Sequence, residues 1–483
     1  MLNPGLYPSK KVYLTTYVCL AAASVLLFFH TTLLYASFAI GMQGVAVSLI
    51  PALVLFALFI YLAHRFKHQK EVLFLLVGTP ALLAFSLFIL PGHVPDEAPH
   101  IWQAAALFSR NPAGFNVPFA YYEPNLPGSY REASAMLSSS PAWEDTFVCS
   151  RYIGSNFFYI YLVPYFVLSI FRFFNFNAYA ALFAARIANA AIYLLVAYRL
   201  IKTVPVGKTL LLVYCLNPML IQQQASFSAD ALINIFSLSF FVCTIYISKL
   251  NSTSIKEWLV FLFFCVANCL SKSFAYAPMT LLVLFVIKRK YKAWARVWVA
   301  VTAFCALAAI GFVSFYQGDF MKDAIVLVRQ PLYFIHVLVK SMWELGTFWG
   351  ESFAGYNLGA LSINTWLPCV WAFYVLIALT TACCDDEVSL NFDNWDRVLL
   401  IGVACIDAVF ILLSMRGWSV TIDGRSDIIM GVQGRYLIPL VIAPLFGYLK
   451  YDSRSCAKSL GLVSSICLAG ILAISLYCIV LHF

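Results

Sequence analysis

Charge is scarce in this chain: only 11% of its 483 residues are Asp, Glu, Lys or Arg, 62% are hydrophobic, and the mean hydropathy is +0.85. A soluble chain of this length would expose too much apolar surface, which excludes a large soluble domain. Strand-length alternation of apolar and polar residues is missing, which argues against a barrel. No small-residue cleavage site follows the first apolar run, so that run reads as a retained helix rather than a signal peptide. No CxxC pair or His/Cys cluster has metal-site spacing. Of the 14 cysteines, Cys149 alone lies clearly in a large polar loop, so no disulfide framework is readable. An internal repeat, which a secondary transporter predicts, is also lacking.

What is present is a series of apolar runs of membrane-spanning length, pointing to an all-α integral membrane protein. About thirteen spans are expected, near 12–33, 43–64, 72–92, 178–200, 209–227, 230–249, 257–273, 276–288, 294–315, 364–382, 398–415, 436–450 and 459–481. With the N-terminus in the cytoplasm, 19 of the 31 basic residues fall in inner loops, among them Lys10, Lys67, Lys202, Lys288, Arg289, Lys290 and Arg397. The net charge of +9 is mostly this inside bias and gives no reason to expect nucleic acid. The 93–155 loop then lies outside, with six acidic and three basic residues.

Two outer segments, 93–177 and 316–363, are long enough to carry function. Each contains an amphipathic stretch, 156–176 and 322–345, expected to lie along the outer interface rather than cross. In the first, Asp96-Glu97 follows the third span closely. A carboxylate beside a hydrocarbon wall has a raised pKa and serves as a general base when a substrate brings a proton. His100, four residues on, would share a helix face with Asp96. An acidic turn that merely stops the span is the competing reading.

Ionisable groups within or beside spans are costly unless paired or used. Five stand out: Arg186, Asp230, Lys272, Asp407 and Arg435. Lys272, Arg435 and Arg186, if grouped, would hold an anionic headgroup such as a phosphate, arginine doing so bidentately. Lys272 and Arg435 can equally snorkel to the interface, and Asp407 suits a helix-packing role. The segment Gly431-Val432-Gln433-Gly434-Arg435-Tyr436-Leu437-Ile438-Pro439 is the densest local signal, with two glycines beside three donors.

Taken in order, Pro95-Asp96-Glu97 with His100, Ser228-Ala229-Asp230, the Lys272 segment, Leu358-Gly359 with Leu367-Pro368, and Gly431 to Pro439 resemble the GT-C superfamily of glycosyltransferases. More narrowly they resemble a bacterial multi-pass family long catalogued as a domain of unknown function. The resemblance implies a GT-C-like core over 72–483, with residues 1–71 as two extra N-terminal helices. It implies Asp96 as general base, with Glu97 as its fallback or as a residue orienting the acceptor. Lys272 and Arg435, with Arg186, would hold the donor phosphate, while His100, Asp230, Gln433, Tyr436 and Glu351 shape the site. Arg186 and Asp230 would alternatively pair with each other, and Tyr121, Tyr122, Trp349 and Tyr356 would stack on sugars. The donor would be a polyprenyl-phosphate sugar, with no resident cofactor and a divalent metal left open. The acceptor would be a glycan or lipid-linked glycan, such as O-antigen, outside a bacterial cytoplasmic membrane. A lipid-linked oligosaccharide polymerase or ligase and a flippase or transporter remain the alternatives.

Overall fold

The computed structural model describes residues 54, 56–106, 126–139, 143, 158–291, 329–358, 364–383, 392–422, 427–450 and 455–483. The expected spans at 12–33 and 294–315, and most of that at 43–64, lie outside these residues. The described chain is helical, without a strand. In order come α1 (Phe56–Arg65), α2 (Lys70–Phe88), α3 (Glu97–Ala106), α4 (Tyr130–Ser138), α5 (Leu162–Phe173), α6 (Ala178–Thr203), α7 (Lys208–Cys215) and α8 (Pro218–Gln224). There follow α9 (Asp230–Lys249), α10 (Ile255–Cys269), α11 (Val283–Lys290), α12 (Pro331–Phe353), α13 (Leu367–Ala382), α14 (Asn394–Ile422), α15 (Ile438–Gly447) and α16 (Ser455–His482).

Among the described residues, five helices are long and apolar enough to cross a membrane: Lys70–Phe88, Ala178–Thr203, Asp230–Lys249, Asn394–Arg416 and Ser459–His482. Each agrees with an expected span. The remaining expected spans within the described residues take other forms. The run at 209–227 is two short buried helices, because Asn217 caps α8 by accepting the backbone N–H of Met219 at 2.8 Å, and Pro218 follows it. Hydropathy averages over such a break. The run at 276–288 begins as a 3₁₀ turn, Ala277–Leu282, before α11. Residues 257–273, 364–382 and 436–450 hold helices of 15, 16 and 10 residues. At 1.5 Å per residue these fall short of the roughly 30 Å of a hydrocarbon core.

The bundle is centred on α2, which packs against α6, α16, α7 and α8, while α9 lies against α6, α10 and α11. The amphipathic stretch at 156–176 is a 3₁₀ turn, Phe158–Tyr161, followed by α5, which doubles back along α6. It leaves Leu162, Phe166, Ile170 and Phe173 exposed at helical spacing. The second stretch is α12, beginning at Pro331, with 322–328 outside the described residues. Its two faces differ: Leu332, Ile335, Val339 and Met342 are exposed, whereas Val337, Ser341, Ser352 and Phe353 are buried.

The buried face of α12 fixes the segment that carries Arg435. Ser341 Oγ accepts the Ile429 N–H at 2.9 Å, and Ser352 Oγ accepts the Gly434 N–H at 2.8 Å. A Cβ at position 434 would collide with the Phe353 nitrogen, the Trp349 carbonyl and the Ser352 hydroxyl. Only glycine permits this approach of backbone to backbone.

Candidate functional site

Beyond α2 the chain turns through Gly92, at φ 92°, into the acidic Pro95-Asp96-Glu97 segment. Glu97 is wholly buried and points into the protein. Its carboxylate accepts the N–H groups of Gly92 at 2.8 Å and Phe227 at 2.7 Å, with Val94 at 3.5 Å. Arg186, also at 0% exposure, donates from Nε to Glu97 Oε1 at 2.7 Å and forms an ion pair with Oε2. The same guanidinium donates to the carbonyls of Leu90 at 3.0 Å and Ser86 at 3.4 Å, and to that of Ile89.

Expectations for two residues are corrected by this arrangement. Arg186 pairs with Glu97, not with Asp230, and its hydrogen-bonding capacity is spent on the end of α2 rather than on a ligand. Glu97 is likewise consumed in folding the acidic turn, so neither is open to a substrate. The physical reason is burial: an isolated charge here is prohibitive, and each is the other's compensation.

The Glu97 anchor turns its neighbour outward. Asp96 adopts φ 59°, in the left-handed region, and its side chain is 53% exposed. Arg435, 1% exposed, comes from the 3₁₀ turn Gly434–Leu437 to meet it. Its Nη2 pairs with Asp96 Oδ2, and Nη1 donates to the Pro95 carbonyl at 2.7 Å. On its other side, Nε stands 3.3 Å from Asp230 Oδ2. Asp230 opens α9, where the helix terminus favours a carboxylate, and its other oxygen accepts from Lys272 at 3.3 Å.

Lys272 lies in the 3₁₀ turn Ser271–Phe274 at φ 47°, so two of the four charged residues hold strained backbone. Its ammonium is 3.2 Å from the centroid of the Tyr436 ring, a cation–π contact. The Tyr436 hydroxyl accepts from Arg435 Nη2 at 3.2 Å and lies 3.5 Å from Asp96 Oδ2. The Tyr276 hydroxyl donates to the Tyr436 carbonyl at 3.2 Å.

His100 stands one turn after Asp96, its amide donating to the Asp96 carbonyl at 3.3 Å. Its Nδ1 shares a 2.7 Å hydrogen bond with the Tyr161 hydroxyl. Burial pushes the His100 pKa down to about 4 despite the pull of Asp230 and Asp96, so the ring is neutral at pH 7. For Asp96, half-covered by its neighbours, partial desolvation acts to raise the pKa. The Arg435 guanidinium outweighs it, helped by Lys272 and by His100 where that is charged, and holds the carboxyl below its ordinary value.

Asp96, His100, Asp230, Lys272, Arg435 and Tyr436 are thus brought together. Gln433 is next to the cluster in sequence, with a buried Oε1 that has no hydrogen-bond partner. Glu351 lies near the end of α12, where none of the cluster's hydrogen bonds or ion pairs reaches it. Trp349 is buried against Gly434, Tyr356 is half-buried, and Tyr121 and Tyr122 lie outside the described residues. Asp407 is fully buried in α14, facing the Met279 backbone and away from the cluster's ion pairs. The Pro95 carbonyl, Tyr161 and Tyr276 are site contacts that sequence reading missed. A backbone carbonyl leaves no sequence signal, and the two tyrosines are ordinary for an aromatic-rich chain. Among the described residues, no group of three His, Cys, Asp or Glu side chains is arranged to hold a metal ion.

Five helices of spanning length and composition, with a charged cluster at one end of the bundle, fit an α-helical membrane protein. Residues 135–443 match the family described as predicted membrane protein (DUF2142), and the chain belongs to that family. The match takes in Asp230, Lys272 and Arg435, while Asp96 precedes it. Among curated proteins and among solved structures, nothing matches the chain.

Proposed function

We propose that this protein is a membrane glycosyltransferase of GT-C type, using a polyprenyl-phosphate sugar and glycosylating a surface polysaccharide. The acceptor class is a glycan or lipid-linked glycan such as O-antigen, met at the outer face of a bacterial cytoplasmic membrane. The observation that carries the reading is the convergence of Asp96 and Arg435, 339 residues apart, with Lys272 and Asp230. Two cations and one water-exposed carboxylate at the end of a bundle meet the needs of the reaction.

In that reaction Asp96 takes the proton of an acceptor hydroxyl whose oxygen attacks the anomeric carbon. The bond from that carbon to the phosphate oxygen breaks, and its electron pair leaves with the polyprenyl phosphate. Lys272 and Arg435 offset the charge that develops there. Tyr436 braces both cations. His100, neutral and oriented by Tyr161, is suited to hydrogen-bonding a sugar hydroxyl.

The test is mass spectrometry of surface polysaccharide from cells that carry the protein, lack it, or carry Asp96→Asn. The expected result is a sugar substituent in the first that is lost in the other two, with turnover reduced on the order of 10²–10⁴-fold by Asp96→Asn. An unchanged glycan with altered lipid distribution between leaflets would favour a flippase instead.

A further inference from the structure

We infer that the Asp96–Arg435 ion pair is a latch opened by a phosphate ester: the phosphate takes the place of Asp96 on Arg435 and thereby frees the carboxylate. This rests on the proposed donor site and adds to it a coupling between donor binding and readiness of the base.

Arg435 and Lys272 face Asp96 and Asp230, and both cations already have carboxylate partners. The other groups around Asp96 are Tyr436 on the Arg435 turn and His100 on α3, while Tyr276, neutral at pH 7, hydrogen-bonds the Tyr436 carbonyl and lies near Asp230 and Arg435. The four charges cancel. A phosphate can therefore gain a cation only by adding net charge to a balanced cluster or by displacing one of its carboxylates.

Which carboxylate gives way follows from burial and attachment. Asp230 is 8% exposed, bridges both cations and is built into the start of α9, with its N–H bonded to Ser228 Oγ at 3.1 Å. Moving it would strand two buried charges. Asp96 is 53% exposed and has an ion pair with only one cation. Water can solvate it as it leaves, and its left-handed backbone at φ 59° is already a conformation that aspartate holds at some cost. Arg435 does not follow it, because the Pro95 carbonyl at 2.7 Å and Asp230 at 3.3 Å keep the guanidinium in place.

The chemical consequence is directional. While paired with a guanidinium, Asp96 is a weak base, since the opposite charge stabilises its ionised form. Once a phosphate holds Arg435, Asp96 loses that stabilisation and faces a second anion instead. Its proton affinity rises when the donor is present and an acceptor hydroxyl is to be deprotonated.

The experiment measures binding of farnesyl phosphate to the purified full-length protein in detergent, with farnesol and inorganic phosphate as companion ligands. Asp96→Asn removes the competing charge while keeping a residue that tolerates the left-handed region, and Asp96→Gly is a second variant that suits it better. Because wild type holds Asp96 on Arg435, both should bind farnesyl phosphate roughly tenfold more tightly than wild type. A gain seen for farnesyl phosphate alone identifies a lipid headgroup as the ligand. An equal gain for inorganic phosphate identifies a free phosphate and still supports the exchange. Unchanged or weaker binding in both variants, with binding lost in Arg435→Ala, would overturn the latch and leave the donor site standing. Wild-type binding in both Arg435→Ala and Lys272→Ala, or farnesol binding as well as its phosphate, would remove the donor site and the latch together.

Discussion

Glu97 and Arg186 offer a measurable separation of structural from catalytic charge. Both side chains are at 0% exposure, and Arg186 supplies Glu97 with its only ion pair. Glu97→Ala would leave the guanidinium buried without a counter-ion and release the N–H groups of Gly92 and Phe227. Breaking a buried pair by removing one partner costs about 3–5 kcal/mol, and each orphaned donor adds about 1–3 kcal/mol. These sums are a large fraction of the whole stability of many domains, so Glu97→Ala should lower the melting temperature steeply. The paired change Glu97→Leu with Arg186→Met removes both charges together and should restore the ion-pair part of the loss, while the N–H groups of Gly92 and Phe227 stay unpaired. Melting temperatures of Glu97→Leu, Arg186→Met and the double variant form a cycle with wild type, and a coupling of about 2 kcal/mol or more is expected. If Glu97→Gln melts like wild type yet loses turnover, the structural assignment is wrong and Glu97 belongs to the chemistry.

Two further outcomes follow from the same geometry. Gly434→Ala should destabilise the protein by more than the 1–3 kcal/mol usual for overpacking, since the obstructing atoms are mostly α12 backbone; an unaltered melting temperature would show that this turn is not seated as described. His100 is held neutral, with a pKa of about 4 against 6.5 when unfolded. Its contribution to stability is therefore present above pH 6.5 and erodes as the pH falls toward 4, where the unfolded chain takes up a proton that the folded one resists. Thermal melts between pH 7 and 4.5 should show a shallower decline in His100→Asn than in wild type, and parallel curves would refute that linkage.

The fold class was legible because lipid is a uniform solvent: a run of spanning length must be apolar whatever it packs against. Asp230, Lys272 and Arg435 were legible for the converse reason, as charges the bilayer does not accept without a use. Pairing was not legible. Nothing at position 186 indicates that its counter-ion lies 89 residues earlier, and sequence reading names Asp230 as its partner instead. Adjacent acids are chemically alike in sequence, and only the turn at Gly92 separates an exposed Asp96 from a buried Glu97. The broken run at 209–227 escaped for a local reason, since one Asn-Pro step outweighs the apolar residues around it.

The side of the membrane on which the cluster works can be tested from the geometry of α9. That helix has Asp230 at one end and Lys249 at the other, and its 20 residues extend about 30 Å, one hydrocarbon thickness. Beyond Lys249 the chain reaches Thr253, whose hydroxyl accepts from Lys290 at 3.3 Å. Lys288 is held nearby by Asp393 at 2.6 Å and by Asp396 at 2.8 Å. The basic group 288–290 thus occupies the end of the bundle away from Asp230. Ser129 belongs to the opposite end: it caps α4, and the next residue, Tyr130, donates to the Phe88 carbonyl at the close of α2 at 2.8 Å. Positive charge accumulates on the cytoplasmic side, so the Lys290 end should face inward and the Asp96 end outward. With cysteines introduced at Ser129 and Lys290, an impermeant thiol reagent added to intact cells should label the first and reach the second only after permeabilisation. Labelling of both from one side would contradict a membrane between them, and the reverse pattern would turn the cluster toward the cytoplasm and remove surface polysaccharide as its acceptor.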